Sequence, residues 1–224
     1  MINNSRAVSL IFLLLTIISC NENKEVASKQ DNIINQFLHE DPERTYYPDS
    51  SLKEVYQTDS MGKMLGRVLR FSKEGILDRL YFVNKAGDTL GDDSRFINGN
   101  LAEHFFRLNG NTNMFYAKFK PNGKLDYFKG SPFFISGTSR IKQGDTLSFY
   151  IATPIIPGFQ TDVCFGQNGV SASQVSYIND LRQFTYRKVM AKKGECEFCL
   201  HVQIRDSIGD AILEDRDTIQ VFVF

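Results

Sequence analysis

Asn98-Gly99-Asn-Leu101, Asn109-Gly110 and Asn122-Gly123-Lys-Leu125, with the run Met114-Phe-Tyr-Ala-Lys-Phe119 between the last two, decide how residues 60 to 130 are read. In that run Phe115, Ala117 and Phe119 share one face of an extended chain, and Lys118 and Lys120 take the other. This is the period-two alternation of a half-buried strand. Glycines stand at 62, 75, 87, 99, 110 and 123, eleven to thirteen residues apart. Asn-Gly suits a two-residue hairpin because both positions take positive φ. The segments 68–71, 80–83, 105–108 and 114–119 are rich in β-branched and aromatic residues. Turn glycines recur too often for a helix of ordinary length, so an antiparallel meander is expected.

Downstream the turns become less regular and the strands longer. Strands are expected at 133–135, 145–151, 159–165, 184–190, 195–205 and 218–224. Cys196, Phe198, Leu200, Val202 and Ile204 alternate with Glu195, Glu197, Cys199, His201 and Gln203, and Ile219, Val221 and Val223 share a face of the last strand. Short alternating strands over about 95 residues describe two sheets packed face to face.

Upstream, residues 21 to 50 are polar apart from Ile33, Ile34, Phe37 and Leu38, whose spacing predicts a short helix ended by Pro42 and Pro48. The segment reads as a tether, with docking of the helix on the next domain as the alternative. Residues 1 to 6 are polar with one cation, Arg6. Residues 7 to 19 are almost wholly apolar but shorter than the roughly 20 residues a membrane span needs. That combination reads as a cleaved export signal.

Three resemblances follow from these residues. Ile17-Ile18-Ser19-Cys20, followed by Asn21-Glu22, resembles the lipobox of bacterial lipoproteins. It implies lipidation of Cys20 after removal of 1–19, and an envelope location leaning to the outer membrane because Asn21 stands where an inner-membrane retention Asp would. The glycine-punctuated stretch resembles MORN-related repeats of bacterial envelope and antitoxin-like proteins, although it lacks their tryptophan. This implies a curved sheet presenting one face to a partner. Lys193-Gly-Glu-Cys-Glu-Phe198 resembles the penultimate strand of immunoglobulin-like domains, with Cys196 where a tyrosine is usual. The expected fold is therefore all-β: an antiparallel meander of hairpin repeats followed by an immunoglobulin-like β-sandwich. Its expected parts are the signal peptide 1–19, a lipidated tether 20–50, the meander 51–130 and the sandwich 131–224.

The chemical inventory is thin. The chain has 224 residues, 42% hydrophobic and 12% aromatic, with 26 cations against 26 anions, so disorder and a basic nucleic-acid surface are both disfavoured. Beyond Cys20 there are three cysteines. Alternation turns Cys196 inward, and Cys164 and Cys199 outward on strands expected to be neighbours. A Cys164–Cys199 bridge, a Cys164–Cys196 bridge and three reduced thiols all stay open. Cys196 and Cys199 on one strand face opposite ways, which does not suit redox chemistry or zinc. His39, His104 and His201 are scattered, each expected on an exposed surface. Asp88, Asp92 and Asp93 read as a solvated acidic turn without calcium-loop spacing.

Triplets of Asp, Ser or Thr, and an aliphatic residue or Met, at Asp59, Asp88, Asp145, Asp206 and Asp217, are similar to the O-glycosylation signal of exported Bacteroidota proteins, with Ser60 and Ser207 the better-placed acceptors. A turn Asp leading into a strand gives the same triplet. No catalytic residue, cofactor or metal site is expected. The functional expectation is a membrane-anchored, non-catalytic binding or assembly module with a protein or glycan partner and no nucleic acid. An antitoxin- or immunity-like role is the alternative, and an envelope hydrolase whose carboxylates meet only in three dimensions is the remote one.

Overall fold

The turn glycines sit where two strands must reverse. In the computed structural model, residues 26–38, 42–84, 89–108, 113–167, 175–178 and 183–224 are described. Eight strands follow one another as an antiparallel meander: β1 (Glu43–Tyr46), β2 (Leu52–Thr58), β3 (Met64–Phe71), β4 (Leu77–Val83), β5 (Thr89–Ile97), β6 (Asn100–Arg107), β7 (Asn113–Phe119) and β8 (Leu125–Gly130). Gly87 and Gly110 lie outside the described residues.

The hairpin reading holds at Asn98-Gly99, where both residues have positive φ, +52° and +78°, and Ile97 pairs with Asn100. It does not hold at Asn122-Gly123. There only the glycine is left-handed, and the turn is closed by Lys120 N–H to Lys124 O and Gly123 N–H to Lys120 O. Pro121 suits this turn, because its ring holds φ negative and fits the first central position of a type I turn, leaving the glycine to reverse the chain. The same bonding pattern closes Asp59–Lys63, Ser72–Ile76 and Asp206–Asp210.

One face of this sheet is covered across its inner strands, while the edge strands β1 and β8 are largely exposed. A helix, α1 (26–37), lies over β2–β4. Ile34 and Leu38 are 2% and 5% exposed in a core with Leu52, Val55, Leu69, Phe71, Leu77 and Leu80, and Ile33 and Phe37 pack beside them. This corrects the tether reading for residues 26–38. Each buried side chain is worth about 1.5–3 kcal/mol relative to exposure, so an apolar helix face next to an apolar sheet face does not stay free.

The approach of α1 is close enough to need a glycine. A Cβ on Gly75, at φ +78°, would lie 2.7 Å from Val26 Cγ1 and 2.9 Å from Gln30 Nε2, and that amide donates to Gly75 O. Gly75→Ala is expected to cost about 1–2 kcal/mol from the left-handed backbone alone. The check is the urea midpoint; no shift would contradict the backbone cost, and a loss well above this range would mean that α1 cannot give way at Val26 and Gln30.

The remaining strands are β9 (Phe134–Gly137), β10 (Arg140–Ile141), β11 (Thr146–Ala152), β12 (Gln160–Gln167), β13 (Val175–Ile178), β14 (Gln183–Val189), β15 (Gly194–Arg205) and β16 (Ala211–Val223). They form two four-stranded sheets, β13-β14-β11-β9 and β10-β16-β15-β12, with β10 parallel to β16. The sheets share one core, in which Phe149 and Tyr186 meet Phe165 and Phe198. Cys196, Phe198, Leu200, Val202 and Ile204 face inward as the alternation predicts. The last strand begins seven residues earlier than expected. Asp215, Arg216 and Asp217 run opposite Val202, His201 and Leu200 in unbroken register.

A third core joins the meander to this second part. Phe106, Phe115, Ala117 and Phe119 of the covered sheet face pack with Ala152, Ile156, Ile204 and Leu213.

Candidate functional site

Register fixes which side chains stand on the other face of the long sheet. Tyr56, Val68, Tyr81, Asp93, Phe105, Tyr116 and Lys129 form one row across β2–β8. Glu54, Arg70, Arg79, Arg95, Glu103, Lys118 and Tyr127 form the next. Strands are about 4.8 Å apart, so each row spans roughly 29 Å. Neither core on the covered face takes a residue from these rows. α1 and the two-sheet part pack on one side of the meander. Among the described residues no core cluster lies on the other, the open face, where Val68 and Asp93 are 0% exposed and the rest of the two rows is half-buried or exposed.

The open face is organised around Asp93, which is fully buried among its neighbours. Arg79 grips it with two bonds, Nε to Oδ1 at 2.7 Å and Nη2 to Oδ2 at 2.8 Å, and Arg107 Nη1 donates to Oδ2 at 2.9 Å. Burial works to raise the carboxyl's pKa, but the bonds and charges of the two arginines outweigh it and hold Asp93 below the ordinary carboxylate range. The Arg79 guanidinium is in turn pushed above its ordinary value, first by its bond to Asp93.

The guanidiniums lie against rings: Arg79 over Tyr81 at 4.5 Å, and Arg95 and Arg107 over Phe105 at 4.9 and 5.1 Å. The Phe105 and Tyr116 rings lie 4.9 Å apart, tilted by 39°, and the Tyr116 hydroxyl donates to Glu103. Burial, then the Glu103 bond and charge, raise the Tyr116 pKa, so the hydroxyl stays protonated. Such contacts fix long side chains in place before any partner arrives, which lowers the entropy cost of binding.

Directly behind Asp93, the neighbouring residue Asp92 points to the covered face. Its Oδ1 accepts the Ile155 N–H at 2.8 Å, tying the meander to the connection between β11 and β12. His104 Nε2 lies 3.1 Å from the same oxygen but off the line of a hydrogen bond, while Nδ1 is 2.9 Å from Ser94 Oγ. His104 and Ser94 are 0% and 1% exposed. Two expectations are overturned here. His104 is not on the surface, and Asp92 and Asp93 are not a solvated turn: both lie within β5, where adjacent residues face opposite ways. Asp88 and His39 lie outside the described residues. A cavity of about 170 Å³ adjoins this cluster, walled by Phe37, Arg67, Phe82, Asp92, Ser94 and Ile155.

Cys20 and the leader lie outside the described residues. The other three cysteines are free, so neither the Cys164–Cys199 nor the Cys164–Cys196 bridge is formed. β12 and β15 are neighbours as expected, but Cys164 stands opposite His201 and Cys199 opposite Gly166. Such diagonal pairs lie about 7–8 Å apart, at or beyond disulfide reach. Cys196 points into the core, opposite Val221. His201 is 30% exposed and sits 3.0 Å from Glu214.

Ser60 and Ser207 are exposed in turns, and the preceding acids have local work. Asp59 accepts from Met61 and Lys63 N–H, and Asp206 from Ile208 and Asp210 N–H. Capping a turn accounts for the Asp of both triplets without a sugar. Among the described residues no group of three or more His, Cys, Asp and Glu is placed to hold a metal, and no helix is long and apolar enough to cross a membrane.

The open-face rows were missed in sequence because they are assembled from seven strands. The only local signal was that Tyr81, Phe105 and Tyr116 fall opposite the core positions of their own strands. Comparison with protein-family models and with curated proteins finds no match to this chain.

Proposed function

We propose that this chain is a lipid-anchored protein of a bacterial envelope, leaning to the outer membrane, and that it acts as a non-catalytic binding or assembly module through the open face of its meander. The observation that carries the reading is the asymmetry of the sheet. One face is buried under α1 and the two-sheet part, whereas the other presents a pre-ordered array of arginine and aromatic side chains. Tyrosine, phenylalanine and arginine are the residue types enriched at protein interfaces. A protein partner is favoured over a glycan because the rings of Tyr81 and Phe105 already carry guanidiniums on their faces.

The MORN-like reading is supported by the glycine-turned meander. The immunoglobulin-like reading is supported by strand order: β9-β11-β14-β13 follows the A-B-E-D order, and β16-β15-β12 the G-F-C order. The lipid anchor rests on the lipobox resemblance ending at Cys20. A non-catalytic role is supported by Ser94. Although its hydroxyl meets His104, whose other ring nitrogen approaches Asp92, it is buried inside a central strand, where backbone N–H groups serve the sheet ladder instead of an oxyanion.

The test is site-specific photo-crosslinking in native envelopes. A photoreactive residue at Arg95, in the open face, is expected to trap one discrete protein, and one at Ile208, on the β15–β16 hairpin tip, is not. Equal labelling from both positions, or none from Arg95, would retire the reading. In parallel, Cys20→Ser should move the chain from the detergent phase to the aqueous phase.

A further inference from the structure

The open face ends at β8, whose outer side has no strand neighbour among the described residues. β8 pairs with β7 alone, from Phe115↔Gly130 to Lys118↔Tyr127 in unbroken register. All of β8 after Leu125 is exposed. An edge strand carries a row of N–H and C=O groups that can template another strand. Here the flanking side chains say which strand would fit. Tyr127, 51% exposed, stands with Lys118 and Lys129 on the open face, and Phe128, 46% exposed, lies on the opposite face near Phe115. Lys118, Lys120, Lys124 and Lys129 are all exposed around this edge, against a single acid in β8, Asp126, which sits 3.6 Å from Lys120.

We propose that β8 accepts a ninth strand: an extended segment of a partner protein whose acidic and apolar residues alternate. On the open face its carboxylates would lie beside Tyr127 and Lys129, with Lys118 one strand further in across Tyr127, and on the other face its apolar side chains would lie beside Phe128. Backbone bonds supply the pairing, and alternate side chains supply selectivity. A second copy of this chain is a poorer occupant, because it would bring the same lysines against these. The inference rests on the binding-module reading and adds to it the chemistry of the partner.

The probe is a labelled ten-residue peptide alternating Glu and Val, titrated against the full chain in detergent and followed by fluorescence anisotropy. A Lys/Val peptide is expected to bind at least about tenfold more weakly. A Glu/Val peptide N-methylated at every second residue, on the hydrogen-bonding side, should not bind. Lys118→Glu with Lys129→Glu should weaken the Glu/Val peptide at least about tenfold, and Ile208→Ser should leave it unchanged.

Four outcomes overturn the proposal: no binding of the Glu/Val peptide; binding indifferent to N-methylation, which would be surface charge alone; capture of anionic phospholipid vesicles in place of peptide; or dimerisation through this edge. The Arg95 cross-link reads the open face independently. Its survival beside a failed peptide titration removes the ninth strand and leaves the binding module standing, while loss of both removes the two together.

Discussion

Asp93→Ala is expected to destabilise the protein by about 3–5 kcal/mol, the range seen when one partner of a buried ion pair is removed. The carboxylate is 0% exposed and accepts three bonds from Arg79 and Arg107, whose side chains are 24% and 16% exposed. Without it two guanidiniums, each held against a ring, would face one another uncompensated. Urea unfolding at neutral pH measures the loss. A change below about 1 kcal/mol would mean that the arginines reach solvent and the cluster is a surface feature.

The pH dependence follows from the sign of the shift. Asp93 has its pKa depressed in the folded protein, so its stabilisation is complete above the ordinary carboxyl value of 3.8. It is lost as pH falls from there through the lower folded value. The stability gap between the parent and Asp93→Ala should therefore be constant from about pH 5 to 7 and narrow below about pH 4. A gap that widened on acidification would contradict the assignment.

Phe198→Ala is expected to cost a similar 3–5 kcal/mol, by a different mechanism. Phe198 is 0% exposed and meets Phe149 at 5.4 Å, Tyr186 at 5.7 Å and Phe165 at 5.8 Å, so it contacts both sheets of the second part. Truncation removes the transfer energy of a phenyl group and leaves a cavity walled by rings on three strands, which cannot all shift inward without leaving their own rotamers. Denaturant unfolding of the variant checks it. Phe198→Leu, which retains most of the volume, should recover a large part of the loss. Equal losses for Ala and Leu would point to the aromatic contacts, not the cavity.

How far these sites could be foreseen differs from one to the other. Phe198 was legible, because strict alternation from Glu195 to Arg205 placed it inward. The Asp93 cluster was not. Sequence put Asp92 and Asp93 in a turn, since two acids beside Gly91 have low strand propensity. Pairing with β4 and β6 overrode that preference by supplying Arg79 and Arg107, thirteen or more residues away along the chain. His104 was misplaced for the same reason. Its burial depends on β5 supplying Ser94 and Asp92, and on Ile155 arriving from the second part.

Some of the architecture is local and so was written in the sequence. The Asn98-Gly99 pair takes positive φ and reverses the chain by itself, and alternation of Phe115, Ala117 and Phe119 with Lys118 and Lys120 needs only the geometry of one strand. These two signals settled the meander, the Asn98-Gly99 hairpin and the inward residues of β15. Alternation states that a strand has two unlike faces; it does not state what lies against either. That α1 would dock and not tether, that the second part would close the same side, and that the arginine-aromatic face and β8 would stay open were decided only in the tertiary structure. Each depends on apolar surfaces far apart in the chain finding one another, and the burial they gain is set by shape and position in space, quantities no local pattern carries.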